Sequence, residues 1–281
     1  MTKNYRVKLT GVFGSPIDEN PTVVMQEAAF AAQGLNWRYV NFLVEPAGLK
    51  AAFEGLRAMQ FGGINLTVPH KVEAMKYVDE LSDKAKLIGA INTVVNRDGV
   101  LYGDNTDGAG FVEGMKKKGI SLNGKTAVIL GAGGASRAIS VECALAGCSR
   151  ILIVNRTLSK ADEIATVVNK NTACKAEALQ WETGFRIPQC DILINATSIG
   201  LYPDPNAPDI CYEDIIPDMI VQDIIPNPAN TLFLQKAKAQ GATTYDGLSM
   251  LVEQGAIGFK LWTGEDAPTD VMYAALEREF A

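Results

Sequence analysis

The chain has 281 residues, 47% of them hydrophobic and 21% charged, with a net charge of −6. That composition fits a globular protein of one large or two ordinary domains. It argues against nucleic acid or an anionic membrane as the main partner, because no long basic run is present. The first residues, MTKNYRVKLTGVFG, lack the apolar stretch of a secretory signal, and no run of about 18 apolar residues predicts a membrane span. The five cysteines, Cys143, Cys148, Cys174, Cys190 and Cys211, are odd in number and form no C-x-x-C pair. They read as reduced, mostly structural thiols of a cytoplasmic protein, and with a single histidine a metal site is not expected.

Taken in chain order, YRVKLTGVFG (5–14) predicts a strand and PTVVMQEAAFAAQGL (21–35) a helix with Pro21 at its first turn. WRYVNFLVE predicts a strand, AGLKAAFEGLRAMQ a helix, FGGINLTVP a strand and HKVEAMKYVDEL a helix carrying Lys71 just inside its start. INTVVN, the turn RDG and VLYGD predict a hairpin. The β-α-β rhythm implies a largely parallel sheet. A second rhythm begins near Gly124. KTAVILGAGGASRAISVECALAG is strand, glycine turn and helix, and SRILIVNRT, CDILINATS and MIVQDII are further buried strands. From DGLSMLVEQGAIGF onward the pattern is helical.

Gly131-x-Gly133-x-x-Ser136 lies between a strand and a helix, as a dinucleotide loop requires. The first glycine permits the turn, and the second lets backbone approach a pyrophosphate at the helix N-terminus. The plain alternative is a tight β-α turn. Gly131, Ala132, Gly133, Gly134 and Ala135 are the predicted phosphate contacts. At the end of the next strand an NAD site offers an acid to the ribose. Here Asn155, Arg156 and Thr157 stand there, with Lys160 one turn on. A guanidinium suits a 2′-phosphate, so the expected cofactor is NADP; the bland alternative is a cluster that caps the next helix.

Histidine is the usual proton carrier near neutral pH and lysine is not. NLTVPHKVEA sets His70 beside Lys71. A lone histidine at a helix start is more often a surface or packing residue. Lys71 follows a strand end, where open α/β sheets place their ligands. An acid partner could come from GDNTDGAGF, as Asp107 or Asp104, although Asp107 could instead serve only as a helix cap. Spacing alone does not pair Lys71 with either.

Seven stretches, NLTVPHK, GAINTVV, GDNTDGAGF, GAGGASRA, VNRT, NATSIG and GLSMLVEQGAIGF, occur in an order that resembles the shikimate dehydrogenase family. The resemblance implies an N-terminal α/β substrate domain over residues 1–107. A Rossmann-type NADP domain over 108–241 follows, with residues 242–281 returning to the first domain. It implies catalysis by Lys71 with Asp107, and substrate contacts from Asn20, Thr22, Asn65, Thr67, Asn92 and Gln254. It also adds Thr197 and Gly247 to the cofactor residues, and gives His70 no catalytic role. The implied substrate is a small cyclic hydroxy acid: shikimate first, as in aromatic biosynthesis, then quinate or a related acid. A catalytically vestigial NADP(H)-binding regulator is the reading from another class. The sequence leaves a homodimer open.

Two departures fall in the substrate site. The family's Ser-x-Ser pair becomes Asn20 and Thr22, with Asp18 and Glu19 just before them, either against a bound carboxylate or in a solvated loop. Pro226 stands where the family has a tyrosine, which removes one hydroxyl contact.

Overall fold

The computed structural model describes residues 5–281; residues 1–4 lie outside the described residues. The chain divides into two compact units. The first runs through Thr106 and takes up Val252–Glu279; the second is Asp107–Leu251 with Phe280.

In the first unit, strands β1 (Lys8–Gly14), β2 (Trp37–Leu43), β3 (Gly63–Leu66), β4 (Glu80–Leu81), β5 (Thr93–Arg97) and β6 (Val100–Asp104) form one sheet in the order β2-β1-β3-β5-β6-β4. The sheet is mixed rather than largely parallel. Strand β5 runs antiparallel to both β3 and β6, because the predicted hairpin at Asp98–Gly99 reverses it. Helices α1 (Thr22–Ala32), α2 (Leu49–Ala58) and α3 (Asp83–Ile88) complete the N-terminal part. The short α3 was not expected. Ser82 caps it by accepting from Ala85 N at 3.0 Å, and Gly89 ends it in the left-handed region.

The helix predicted over HKVEAMKYVDEL does not form. Lys71 lies in a turn, followed by a 3-10 helix (Glu73–Tyr77) and then β4. Tertiary bonds override the helical pattern. His70 is buried with Nε2 2.7 Å from Val44 O, while Arg57 donates to Tyr77 O at 3.2 Å and pairs with Asp79 at 2.7 Å. His70 is thus a packing residue, but in a turn and not on a helix.

The second unit holds β7 (Thr126–Leu130), β8 (Arg150–Asn155), β9 (Lys175–Gln180), β10 (Ile192–Asn195), β11 (Ile220–Asp223) and β12 (Thr243–Tyr245), with α4 (Asp107–Lys117), α5 (Gly134–Leu145), α6 (Leu158–Asn171) and α7 (Leu232–Ala239). Every pairing is parallel, in the order β12-β11-β10-β7-β8-β9. This is the doubly wound dinucleotide order, whose direction of winding reverses between β7 and β10. Strands β9 and β12 were not read from sequence. Because β12 pairs with β11, this unit extends to Leu251, beyond the boundary expected at 241.

Helix α8 (Leu248–Thr263) leads back into the first unit. From Val252 onward, with α9 (Thr269–Glu279), the chain packs on α1 and on the first sheet. Phe30 stacks on Phe259 at 5.2 Å, Gln26 Nε2 donates to Gly255 O at 2.9 Å, and Trp262 Nε1 donates to Val94 O at 3.0 Å. Four of the five thiols, Cys143, Cys148, Cys174 and Cys190, are buried, and all five are free. Among the described residues no helix is long and apolar enough to cross a membrane, and no cluster of three or more His, Cys, Asp or Glu could hold a metal ion.

Candidate active site

One edge of the first sheet gathers the exits of β1, β3 and β6 with the entry of the reversed β5. Across it, Val12 faces Asn65, Asn65 faces Thr93 and Thr93 faces Asp104. The polar side chains on this edge hold one another. Tyr39 Oη donates to Asn65 Oδ1 at 2.8 Å, and Asn65 Nδ2 donates to Asn92 O at 3.1 Å and Thr93 Oγ1 at 3.0 Å. Asn92 Nδ2 donates to Thr106 Oγ1 at 3.0 Å and to Gln254 Oε1 at 3.4 Å, and its Oδ1 accepts from Thr106 N at 2.8 Å and Thr93 Oγ1 at 3.1 Å. Tyr39, Asn65, Asn92, Thr93, Thr106 and Gln254 are all buried. Burial pushes the Tyr39 phenol well above its ordinary pKa, so it remains a donor.

Lys71 is half-buried in the turn that follows β3, and its carbonyl accepts from Ile91 N at 2.8 Å. Thr67, half-buried, begins that turn; its N donates to Phe13 O at 3.0 Å and its carbonyl accepts from His70 N at 2.8 Å. Asn20 uses its side chain locally: Oδ1 accepts from Thr22 N at 3.0 Å at the start of α1. Asn41 Nδ2 anchors the same loop through Asn20 O at 2.9 Å. Thr22 is buried, whereas Asp18 and Glu19 are exposed, as in a solvated loop. Asp104, the other acid of GDNTD, accepts from Asn105 N at 2.8 Å and from Ser82 Oγ, which assigns it to the turn.

Spacing did not single out Tyr39, Thr93 or Thr106. The available signal was the two-residue period of β2, which puts Tyr39 and Asn41 on one face.

In the second unit, Asp107 is the buried first residue of α4 rather than its N-cap. The glycine loop joins β7 to α5 at the point where the winding reverses. Gly131 has φ +101, its N donates to Val154 O at 2.7 Å, and a Cβ there would meet the Thr197 methyl at 2.9 Å. Only glycine suits that position. Ser136, at the third small position, donates from Oγ to Gly131 O at 2.6 Å and locks the loop onto its helix. Around Gly133 and Gly134 the space is open and the backbone exposed, while Ala132 and Ala135 are half-buried. The first turn of α5 therefore offers unencumbered N–H groups to an anion.

At the end of β8, Asn155 Nδ2 donates to Thr157 O at 2.9 Å, and Thr157 precedes α6. Arg156 and Lys160 are exposed, and neither makes an ion pair among the described residues. Thr197 follows β10, with its Oγ1 donating to Asn195 Oδ1 at 2.7 Å. Gly247 is buried so tightly against Ile224 O that no Cβ fits. Open backbone at a helix start with two unpaired cations nearby fits a dinucleotide bearing an extra phosphate.

Comparison with known proteins agrees with this architecture. The family described as "Shikimate dehydrogenase substrate binding domain" matches residues 12–94, "Shikimate / quinate 5-dehydrogenase" matches 113–202, and "Shikimate 5'-dehydrogenase C-terminal domain" matches 247–277. A relative from Desulforamulus reducens, named shikimate dehydrogenase (NADP(+)), is 40% identical over 99% of this chain and 97% of its own. Among solved structures, the ligand-free 5-ketofructose reductase of Gluconobacter sp. strain CHM43 is 47% identical, with TM-score 0.93, covering 99% of this chain and 100% of that one. Shikimate 5-dehydrogenase from Listeria monocytogenes, in complex with shikimate and NAD, is 35% identical with TM-score 0.91, covering 98% and 99%. The chain belongs to the shikimate dehydrogenase family, oxidoreductases that act on a CH–OH group.

Proposed function

We propose that the chain interconverts an alcohol and a ketone on a polyhydroxylated ring, using NADP(H), with shikimate and 3-dehydroshikimate as the substrate pair. The observation that carries this reading is the buried amide–hydroxyl network of Tyr39, Asn65, Asn92, Thr106 and Gln254 at the sheet edge that also bears Lys71. Groups that both donate and accept suit a ring of hydroxyls.

The cofactor, when bound, supplies or takes up a hydride at the nicotinamide. Gly131 to Ala135, with Thr197 and Gly247, would hold its backbone, and Asn155, Arg156, Thr157 and Lys160 its adenosine phosphate. Placement and the proton come from the chain. In the reducing direction the Lys71 ammonium gives its proton to the substrate oxygen as that oxygen becomes a hydroxyl. Asp107 stabilises the charged lysine, and solvent restores the proton. Asn20, Thr22, Asn65, Thr67, Asn92 and Gln254 contact the ring and its substituents, with Asn65 and Asn92 also tying the contacts into the buried network.

A second reading has the same cofactor and proton pair but a keto-sugar without a carboxylate. It is supported by the 17–22 loop, where the Asn20 oxygen already accepts from Thr22 N and two exposed acids stand beside it, and by the 47% identity to a 5-ketofructose reductase. Pro226, half-buried in the second unit, adds no hydroxyl for a ring acid. Initial rates of NADPH oxidation with 3-dehydroshikimate and with 5-ketofructose, and of NADP⁺ reduction with shikimate and quinate, separate the readings. Turnover of the cyclic acids alone supports the first, and turnover of the keto-sugar alone replaces it with the second. Tight NADP⁺ binding with no turnover of any would leave only a regulatory role.

A further inference from the structure

The cofactor reading leaves Asp223, a buried acid of the second unit, without a role. Asp223 ends β11 and is fully buried. Its Oδ1 accepts from Asn195 Nδ2 at 3.1 Å and Ile225 N at 3.2 Å, and its Oδ2 accepts from Thr231 Oγ1 at 2.8 Å. None of these donors is a cation. The titratable group that faces it is Tyr212, in the 3-10 helix Tyr212–Asp214. Beyond Tyr212 stand Asp209, which also acts on that phenol, and Lys236 of α7, 4.7 Å from the ring. Asp204 binds Gly200 N in the turn after β10, and Asp246 precedes Gly247. Burial lifts the Asp223 carboxyl to about 6, against the opposing bonds from Thr231, Ile225, Asn195 and the Ile224 backbone.

Two of the three contacts lead to residues that would line the cofactor. Asn195 Oδ1 accepts from Thr197 N at 3.2 Å and Thr197 Oγ1 at 2.7 Å, and the Thr197 methyl lies against Gly131. Ile225 O accepts from Gly247 N at 2.9 Å, where Gly247 packs onto Ile224. Thr231 in turn caps α7 through Leu234 N at 3.3 Å.

We propose that Asp223 is a positioning residue of the cofactor half-site: by accepting from Asn195, Ile225 and Thr231 at once, its carboxylate sets the Thr197 turn against the glycine loop and holds Ile225 where Gly247 packs. This rests on the NADP reading. On protonation the carboxyl hydrogen goes to Thr231 Oγ1, the one partner of the three that can accept, and the bonds from Asn195 Nδ2 and Ile225 N lose the charge assistance of an ionised acceptor. Cofactor affinity therefore depends on the charge of a residue that does not touch the cofactor.

The test is calorimetric titration of NADP⁺ into wild type, Asp223→Asn and Thr231→Val between about pH 5 and pH 8. The 2′-phosphate titrates in all three proteins, so the Asp223→Asn curve serves as the blank. Relative to it, wild-type affinity is expected to fall at least ~3-fold as the pH drops through the Asp223 transition. Thr231→Val removes one donor to the carboxylate, so it should move that transition to higher pH; this variant decides the matter if Asp223→Asn does not fold. Parallel wild-type and Asp223→Asn curves, or an unmoved transition in Thr231→Val, would overturn this proposal alone. No NADP⁺ binding by wild type at any pH would overturn the cofactor reading and this proposal with it.

Discussion

In the first unit the candidate site is made of side chains that hold one another; in the second it is made of backbone left open. Asn65 and Asn92 each make several bonds inside the fold, while Gly133 and Gly134 face empty space. The difference bears on where specificity resides. A closed network penalises any disturbance, because each orphaned buried polar group costs about 1–3 kcal/mol. Open N–H groups at a helix start take any dinucleotide phosphate, so discrimination there must come from the side chains at the end of β8. Substitutions in the first unit should therefore alter substrate use and stability together. Substitutions around the glycine loop should alter cofactor affinity alone.

The largest expected effect tests the proton role. Lys71→Ala should lower kcat by ~10²–10⁴-fold while leaving NADP⁺ affinity within about twofold. Steady-state rates with the accepted substrate and a separate calorimetric Kd make the check. Unchanged turnover would remove Lys71 from the chemistry. A parallel loss of cofactor affinity would erase the division of labour between the two half-sites.

How much of this could be read beforehand depended on burial. Strands β7, β8 and β10 are short apolar runs buried on both faces, and the sequence announced each. Strand β9, KAEALQ, escaped because it is a sheet edge with Lys175, Glu177 and Gln180 exposed; the three-residue β12 is the opposite edge. The turn at Lys71 was misread as a helix because its residues favour one locally, and what opposes it are bonds to Val44 and Arg57, distant in sequence. In the site, the glycine loop has a spacing of its own, whereas Asn65, Asn92 and Gln254 came only from family resemblance. Their partners Tyr39, Thr93 and Thr106 are ordinary strand and loop residues until the register places them side by side.

The next effect concerns stability. Asp223 carries a carboxyl raised to about 6 in the fold against an ordinary value of 3.8, with burial as the main cause. The native state therefore binds more protons than the unfolded chain between those values. The contribution of Asp223 to stability is largest at low pH and is lost as the pH rises through about 6. The whole shift corresponds to ~3 kcal/mol, an order-of-magnitude figure. Urea unfolding of wild type and Asp223→Asn at about pH 5 and pH 7.5 should show wild type gaining on the variant at the lower pH, by ~1–3 kcal/mol. A pH-independent gap would mean that Asp223 does not titrate in this range.

A smaller change separates the two cofactors. Arg156→Ala should weaken NADP⁺ binding by ~5–10-fold and NAD⁺ binding by less than about twofold, since an exposed guanidinium contributes only about 1 kcal/mol to phosphate binding. Equal losses would show that Arg156 does not read the phosphate, and would shift that role to Lys160 or Thr157.

The finest test enters the closed network from behind. Tyr39→Phe removes only the hydroxyl that donates to Asn65 Oδ1, and leaves Asn65 Nδ2 bound to Asn92 O and Thr93 Oγ1. The orphaned acceptor should cost about 1 kcal/mol of stability, and the loosened Asn65 should raise the substrate KM ~2–5-fold. NADP⁺ affinity should not change. If KM stays fixed while stability falls, the network supports the fold without reaching the substrate, and Asn65 drops from the list of substrate-site residues. A rise in KM abolished by a further Asn65→Ala substitution would place the path from Tyr39 to the substrate through Asn65, since two residues acting through one contact are not additive.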